Sequence, residues 1–257
     1  MKRIFFTLLV IVSFLSKETK PVFVTYSILK KDEQKIILLG DFHKPHIYSE
    51  IQRNKIINQL KQLNKEDILT LVEDMCDTNE YNKNDEKYIK IIRFFKKFPK
   101  KSPLQSLHTD LIKNNIHSIN IENRHIQSYF TCSSRLIKIP PLSIIDEIQK
   151  NIKRVEAYKE KLPESTQKKA TNIILDIEKF VQNYTKTPLI QRLLSTDSDK
   201  CDFLRKSTPL LDLEFIHNIL QNQNKKRIYI FAGFFHTQEI EKILIQDMGY
   251  KKDISSN

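Results

Sequence analysis

Glycine is almost missing from this chain, with three in 257 residues, where usage of about 7% would supply roughly eighteen. Each glycine that remains is therefore informative. Tryptophan is absent and there are only three cysteines, which rules out a small disulfide-stapled scaffold. Cys76, Cys132 and Cys201 form an odd set with no pair at metal-ligand spacing, so one disulfide plus one free thiol stays open. No run reaches the roughly twenty apolar residues of a membrane-spanning helix. What is present is ordinary for a globular chain: 40% hydrophobic and 29% charged residues, enough to bury a substantial core.

Acidic residues are outnumbered, 31 against 43 basic, for a formal charge of +12. Such an excess suits a phosphate backbone or an anionic membrane surface. Only nine of the basic residues are Arg, however, and the Lys are scattered with Ile and Asn along the whole chain. No zinc finger, RNP-type aromatic pattern or long basic helix accompanies them, so no specific nucleic-acid partner is expected. At the N-terminus, Lys2 and Arg3 precede an apolar run from Ile4 to Leu15 broken by Thr7 and Ser13, with a polar exit through Ser16 to Lys20. Residues 1–20 read as a signal peptide or N-terminal anchor. The body is then exported, periplasmic or secreted, and the same segment offers a route to membrane association if it is not cleaved.

Beyond the leader, strands and helices alternate. Val22–Leu29 and Lys35–Leu39 are β-branched or aliphatic runs, and Pro45–Leu63 carries apolar residues at helical spacing with Pro in its first turn. Ile68–Val72 reads as a buried strand, Glu86–Phe98 and Leu104–Lys113 as helices, and Ile116–Ile121 as a strand. Residues 142–185 form a helical hairpin turning at Leu162-Pro163-Glu164-Ser165, with Ser165 or Thr166 as the cap of the second helix. An insertion of this kind acts as a lid or extends a core, and the pattern does not choose. A helix over Leu210–Leu220, a strand over Arg227–Phe231 and a helix over Thr237–Met248, closed by Gly249 as C-cap, complete the chain. The expectation is one α/β domain over 21–257, with a mixed, mainly parallel sheet flanked by helices.

Two of the three glycines open the same phrase, Gly40-Asp41-Phe42-His43 and Gly233-Phe234-Phe235-His236, and each phrase directly follows a strand. Ligands bind open α/β sheets at the carboxyl ends of the strands, where both His residues are delivered. Two further strands exit into polar groups: Val72 into Glu73 and Asp74, Ile121 into Glu122 and then Arg124. If these strands are parallel neighbours, His43, His236 and Glu73 form a minimal ligand set for a divalent metal (Mn, Co, Fe or Zn) that keeps open positions. Glu73 is then a metal ligand or the general base, and Arg124 either orients a substrate or pairs with Glu122.

These phrases, with Ile36-Ile37-Leu38-Leu39 before the first, Leu71-Val72 before Glu73, and the tail through Gly249-Tyr250, resemble the TraB/Tiki/ChaN superfamily, which includes erythromycin esterase-like proteins. The resemblance spans residues 35 to 252, its middle helical part in architecture alone. It implies metal-dependent proteolysis or another hydrolysis of a peptide or small-molecule substrate in some branches, and haem binding without catalysis in the ChaN branch. His43, Glu73 and His236 fall on the family's site positions and Arg124 on its mid-domain Arg. Phe234-Phe235 departs from the small residues usual there, which implies a narrowed site, and no lipoprotein Cys follows the leader.

Two other readings stand beside this one. Asp41-x-His43 matches the first metal motif of a two-metal phosphoesterase, but the second Gly-Asp turn, the Asn-His phrase and the closing His-x-His are absent. A degenerate scaffold kept for interaction is the other. His46 and His125 are weaker ligand candidates, while His108, His117 and His217 lie in regular patterns and read as packing or surface residues.

Overall fold

The structure is a computed structural model that describes residues 23–41, 49–74, 104, 106–122, 141–187 and 197–253. Compactness divides the chain into two units, Met1–Glu122 with Gln221–Asn257, and Asn123–Leu220.

The first unit is built on a six-stranded sheet. Its strands are β1 (Phe23–Lys31), β2 (Gln34–Asp41), β3 (Ile68–Val72), β4 (Ser118–Asn120), β5 (Arg227–Gly233) and β6 (Lys251–Lys252), in the spatial order β4-β3-β5-β2-β1-β6. β4, β3, β5 and β2 run parallel, whereas β1 is antiparallel to both β2 and β6. The expected mixed, mainly parallel α/β sheet is therefore what forms. β1 and β2 make a hairpin because Asp32, at a positive φ of 50°, takes up the tight turn between them. The parallel strands need crossovers, and helices supply them: α1 (Ser49–Leu60) and α2 (Leu107–Lys113) between strands, and α6 (Phe234–Gln246) after β5.

Alternation along the strands makes the two faces. Ile37, Leu39, Val72, Tyr229 and Phe231 join Ile57 and Leu60 of α1 and Leu107 and Leu111 of α2 in one buried cluster. The alternate set, including Ile36, Leu38, Leu71 and Ile230, is buried on the opposite face, where α6 packs on β1, β2 and β5. Both faces being covered explains why β2, β3 and β5 read as continuous apolar runs rather than as alternating ones.

Gln34 ties the amino-terminal edge of the sheet together. Its Nε2 donates to the carbonyls of Asn222, Gln223 and Lys225, at 3.3, 3.3 and 2.8 Å, and its Oε1 accepts from the Tyr250 hydroxyl. Gly249 takes a positive φ of 74° after α6, the backbone state the sequence assigned to it, and the Tyr250 N–H donates to the Leu244 carbonyl at 3.0 Å.

The described residues of the second unit are helical. α3 (Pro141–Tyr158) and α4 (Glu164–Lys186) form the expected hairpin, joined through a 3₁₀ turn at Lys159–Lys161. The capping differs from expectation: α4 begins at Glu164 behind Pro163, and neither Ser165 nor Thr166 caps it. Thr166 is fully buried inside the helix, and Gln167 closes the turn instead, donating from Nε2 to the Leu162 carbonyl at 2.8 Å. α5 (Asp197–Gln221) is longer than expected because it continues through Pro209. The proline costs the helix one N–H bond there and does not end it. The expected helix over Glu86–Phe98 lies outside the described residues.

Candidate functional site

The carboxyl ends of the parallel strands are in register. Asp41 of β2 lies opposite Gly233 of β5, Val72 of β3 opposite Phe231 of β5, and Val72 also opposite Asn120 of β4. The two Gly-x-x-His phrases thus start side by side on adjacent strands, offset by one residue, with Gly40 opposite Ala232. Glu73 and Glu122 leave the next two strands along the same edge. The adjacency assumed from the sequence is met for β2, β3, β4 and β5.

Glu73 and His236 are brought together. The Glu73 N–H donates to the Phe231 carbonyl at 2.8 Å, extending the β3–β5 ladder one residue past the strand. Its side chain turns toward α6, where the Gly233 N–H donates to Oε2 at 2.6 Å and the His236 Nε2 lies 3.6 Å from Oε1. A charge-assisted bond from a backbone N–H favours the ionised carboxylate and fixes its orientation. The remaining pair of atoms is too far apart for a good hydrogen bond, which needs about 2.7–3.2 Å. It is close to the roughly 3.4 Å that separates two donors each about 2.1 Å from a tetrahedral cation. With 0% and 6% of the Glu73 and His236 side chains exposed, charge interactions there are weakly screened. The oxygen and imidazole donors fit Mn, Co, Fe or Zn.

Gly233 has φ −61° and ψ 151°, a conformation open to any residue. What the turn requires is its N–H pointed at Glu73. Of the bulky pair Phe234-Phe235, Phe235 is 71% exposed. One residue of helix rotates the side chain by about 100°, which sends Phe235 outward while buried His236 faces the sheet. Phe234 and Phe235 meet edge to face at 5.3 Å.

Glu122 is buried just past β4, and its N–H donates to the Asn120 Oδ1 at 3.1 Å. His43 and Arg124 lie outside the described residues, as do His46 and His125. Among the described residues no group of three or more His, Cys, Asp or Glu side chains is placed to hold a metal. Buried Asp41 ends β2 beside Gly233.

Asp74, which the sequence presents as a twin of Glu73, does different work. Its carboxylate accepts from the N–H groups of Ser106 and His108, each at 3.0 Å, and so caps α2. The local residue at that position, Ser106, has a φ of 64° and no side-chain cap bond, which leaves the first-turn N–H groups to an acid from the neighbouring strand end. His108 is buried with Nδ1 2.9 Å from the Ser118 hydroxyl, the packing role expected of it. Arg53 of α1 pairs with Asp110 of α2 at 3.1 Å. Neither that pair nor Asn120 was singled out by sequence. The available signal was an Asn, a residue depleted in strands, between Ile119 and Ile121.

Protein-family models, curated proteins and solved structures were all compared with the chain, and none of the three yields a match.

Proposed function

We propose that this protein is a divalent-metal-dependent hydrolase of the TraB/Tiki/ChaN type, acting on peptides or related small substrates. The observation that carries the reading is the 3.6 Å separation of Glu73 Oε1 and His236 Nε2, with the other Glu73 oxygen already held by Gly233. A carboxylate with one oxygen anchored and the other turned to an imidazole is prepared to share a cation with it. His236 and Glu73 would hold the ion, joined by His43, two residues beyond Asp41 in the chain. An ion bound there would supply Lewis acidity and acidify a water molecule.

The chain's own residues divide the remaining work. Gly233 N–H holds the Glu73 carboxylate in its orientation. Glu73 either stays in the ligand set or takes a proton from the attacking water at Oε1 and returns it to the leaving group. Arg124 orients an anionic or carbonyl group of the substrate, or holds Glu122 in a bidentate pair. The test is a screen of leaderless protein loaded with Mn, Co, Fe or Zn against peptides and esters, with His236→Ala and Glu73→Gln alongside. Turnover in the wild type that is lost in both variants is the expected result. Haem binding with a Soret shift that depends on His236, without any turnover, would instead establish the non-catalytic ligand-binding alternative.

A further inference from the structure

We infer that Asn120 is a positioning residue for this site, holding Glu73 and Glu122 in place from the end of β4; the inference rests on the reading of Glu73 as a functional carboxylate. The parallel ladder between β3 and β4 ends with Val72, whose carbonyl accepts from the Ile121 N–H at 2.8 Å. Past the Val72–Asn120 pair the strand register ends, and the Asn120 side chain bonds the backbone there instead. Its Oδ1 accepts from the Asp74 N–H at 3.0 Å and the Glu122 N–H at 3.1 Å, and its Nδ2 donates to the Asp74 carbonyl at 2.9 Å. Two N–H groups and one carbonyl as partners fix which way the amide lies.

The consequence falls on Glu73. Its own N–H is bonded to Phe231 of β5 on one side, while the next residue, Asp74, has both backbone groups bonded to Asn120 on the other. Glu73 is therefore pinned between two neighbouring strands just where its carboxylate must meet Gly233 and His236. The same amide holds the backbone of Glu122, so one side chain sets the spacing of two acids on adjacent strands. Asp at this position would keep the acceptor but place a carboxylate oxygen against the Asp74 carbonyl. Ala would leave all three backbone groups without this partner.

The chain's three glycines make a clean test. Labelling with [¹⁵N]glycine gives only the Gly40, Gly233 and Gly249 amide signals, and the Gly233 proton reports directly on the Glu73 carboxylate. The spectra and Co²⁺ titrations are recorded on wild type, Glu73→Gln, Asn120→Ala, Asn120→Asp and, as a control on the same strand, Ser118→Ala. The Gly233 amide of Asn120→Ala is expected to move toward its position in Glu73→Gln, with Co²⁺ binding weakened about tenfold or more. Ser118→Ala, which loses its contact with His108, should leave both unchanged. Should Asn120→Ala fail to fold, Asn120→Asp carries the same comparison. A Gly233 signal unmoved in the folded Asn120 variants would overturn the inference. Absence of Co²⁺ binding by the wild type would instead remove the metal reading, and the glycine spectrum would still decide the role of Asn120.

Discussion

Glu73 and Asp74 are consecutive in the chain and serve opposite faces of the sheet. Glu73 turns to the α6 side, with Oε2 on the Gly233 N–H and Oε1 3.6 Å from His236. Asp74 turns to the other face and caps α2 through Ser106 and His108. The period of two along an extended chain requires this division. It separates an acid available for chemistry from one committed to structure.

Replacing Asp74 should therefore act on stability. Asp74→Ala leaves two buried-end N–H groups without their acceptor and is expected to destabilise the first unit by about 1–3 kcal/mol. Asp74→Asn, which keeps one acceptor oxygen, should cost less. Urea denaturation followed by circular dichroism gives both values, and equal stability of wild type and Asp74→Ala would contradict the capping role.

Tyr250→Phe removes the hydroxyl that donates to Gln34 Oε1 and strips a partner from a buried amide. A loss of about 1–2 kcal/mol is expected. Gln34→Ala should cost more, since it also releases the carbonyls of Asn222, Gln223 and Lys225. Thermal unfolding of the two variants side by side checks the order.

The helical unit contains two groups whose protonation opposes each other. Burial raises the Glu214 pKa above the ordinary carboxylate value, against the lowering effects of the Tyr158 hydroxyl and the Arg154 charge. A raised folded pKa means that the folded state binds the proton more tightly. The associated stability is present below pH about 4.5 and lost as pH rises through the folded value. Glu214→Gln should accordingly make the protein more stable near pH 7 to 8 relative to wild type, with the difference shrinking at low pH. Thermal melts across that range would show no such convergence if the side chain were freely solvated.

His217 has the opposite sign. Its pKa is lowered, first by burial and then by the Lys161 charge, and its ring stacks on Tyr158 with centroids 4.0 Å apart. A depressed folded pKa gives stability that is present above the ordinary value of about 6.5 and lost as pH falls through the folded value. His217→Phe keeps an aromatic ring on Tyr158 and removes the titration. The variant should lose less stability than wild type between neutral and mildly acidic pH, as read from denaturant midpoints at each pH.

The fold was legible wherever strands end abruptly in Gly or an acid. Continuous apolar runs at Lys35–Leu39, Ile68–Val72 and Arg227–Phe231 fall within strands covered on both faces. The closeness of Glu73 and His236 followed from placing each at a strand exit. The difference between Glu73 and Asp74 was not legible, because the sequence gives two adjacent acids and only the pleat assigns their faces. Asn120 was hidden for a related reason: its partners are backbone groups of Asp74 and Glu122, which leave no trace in side-chain pattern. The helix expected over Leu210–Leu220 extends back to Asp197 through Pro209, since packing of buried Leu213, Phe215, Ile216 and Ile219 outweighs one missing bond.

We propose that Glu73 and His236 share a divalent cation with His43. Elemental analysis of protein lacking residues 1–20 and purified without a His-tag, in wild type and in the double variant His43→Ala/His236→Ala, tests this. The expected result is near-stoichiometric Mn, Co, Fe or Zn in the wild type and its loss in a double variant that remains folded. Equal metal content in the two proteins, or none in the wild type even after incubation with each ion, would contradict it.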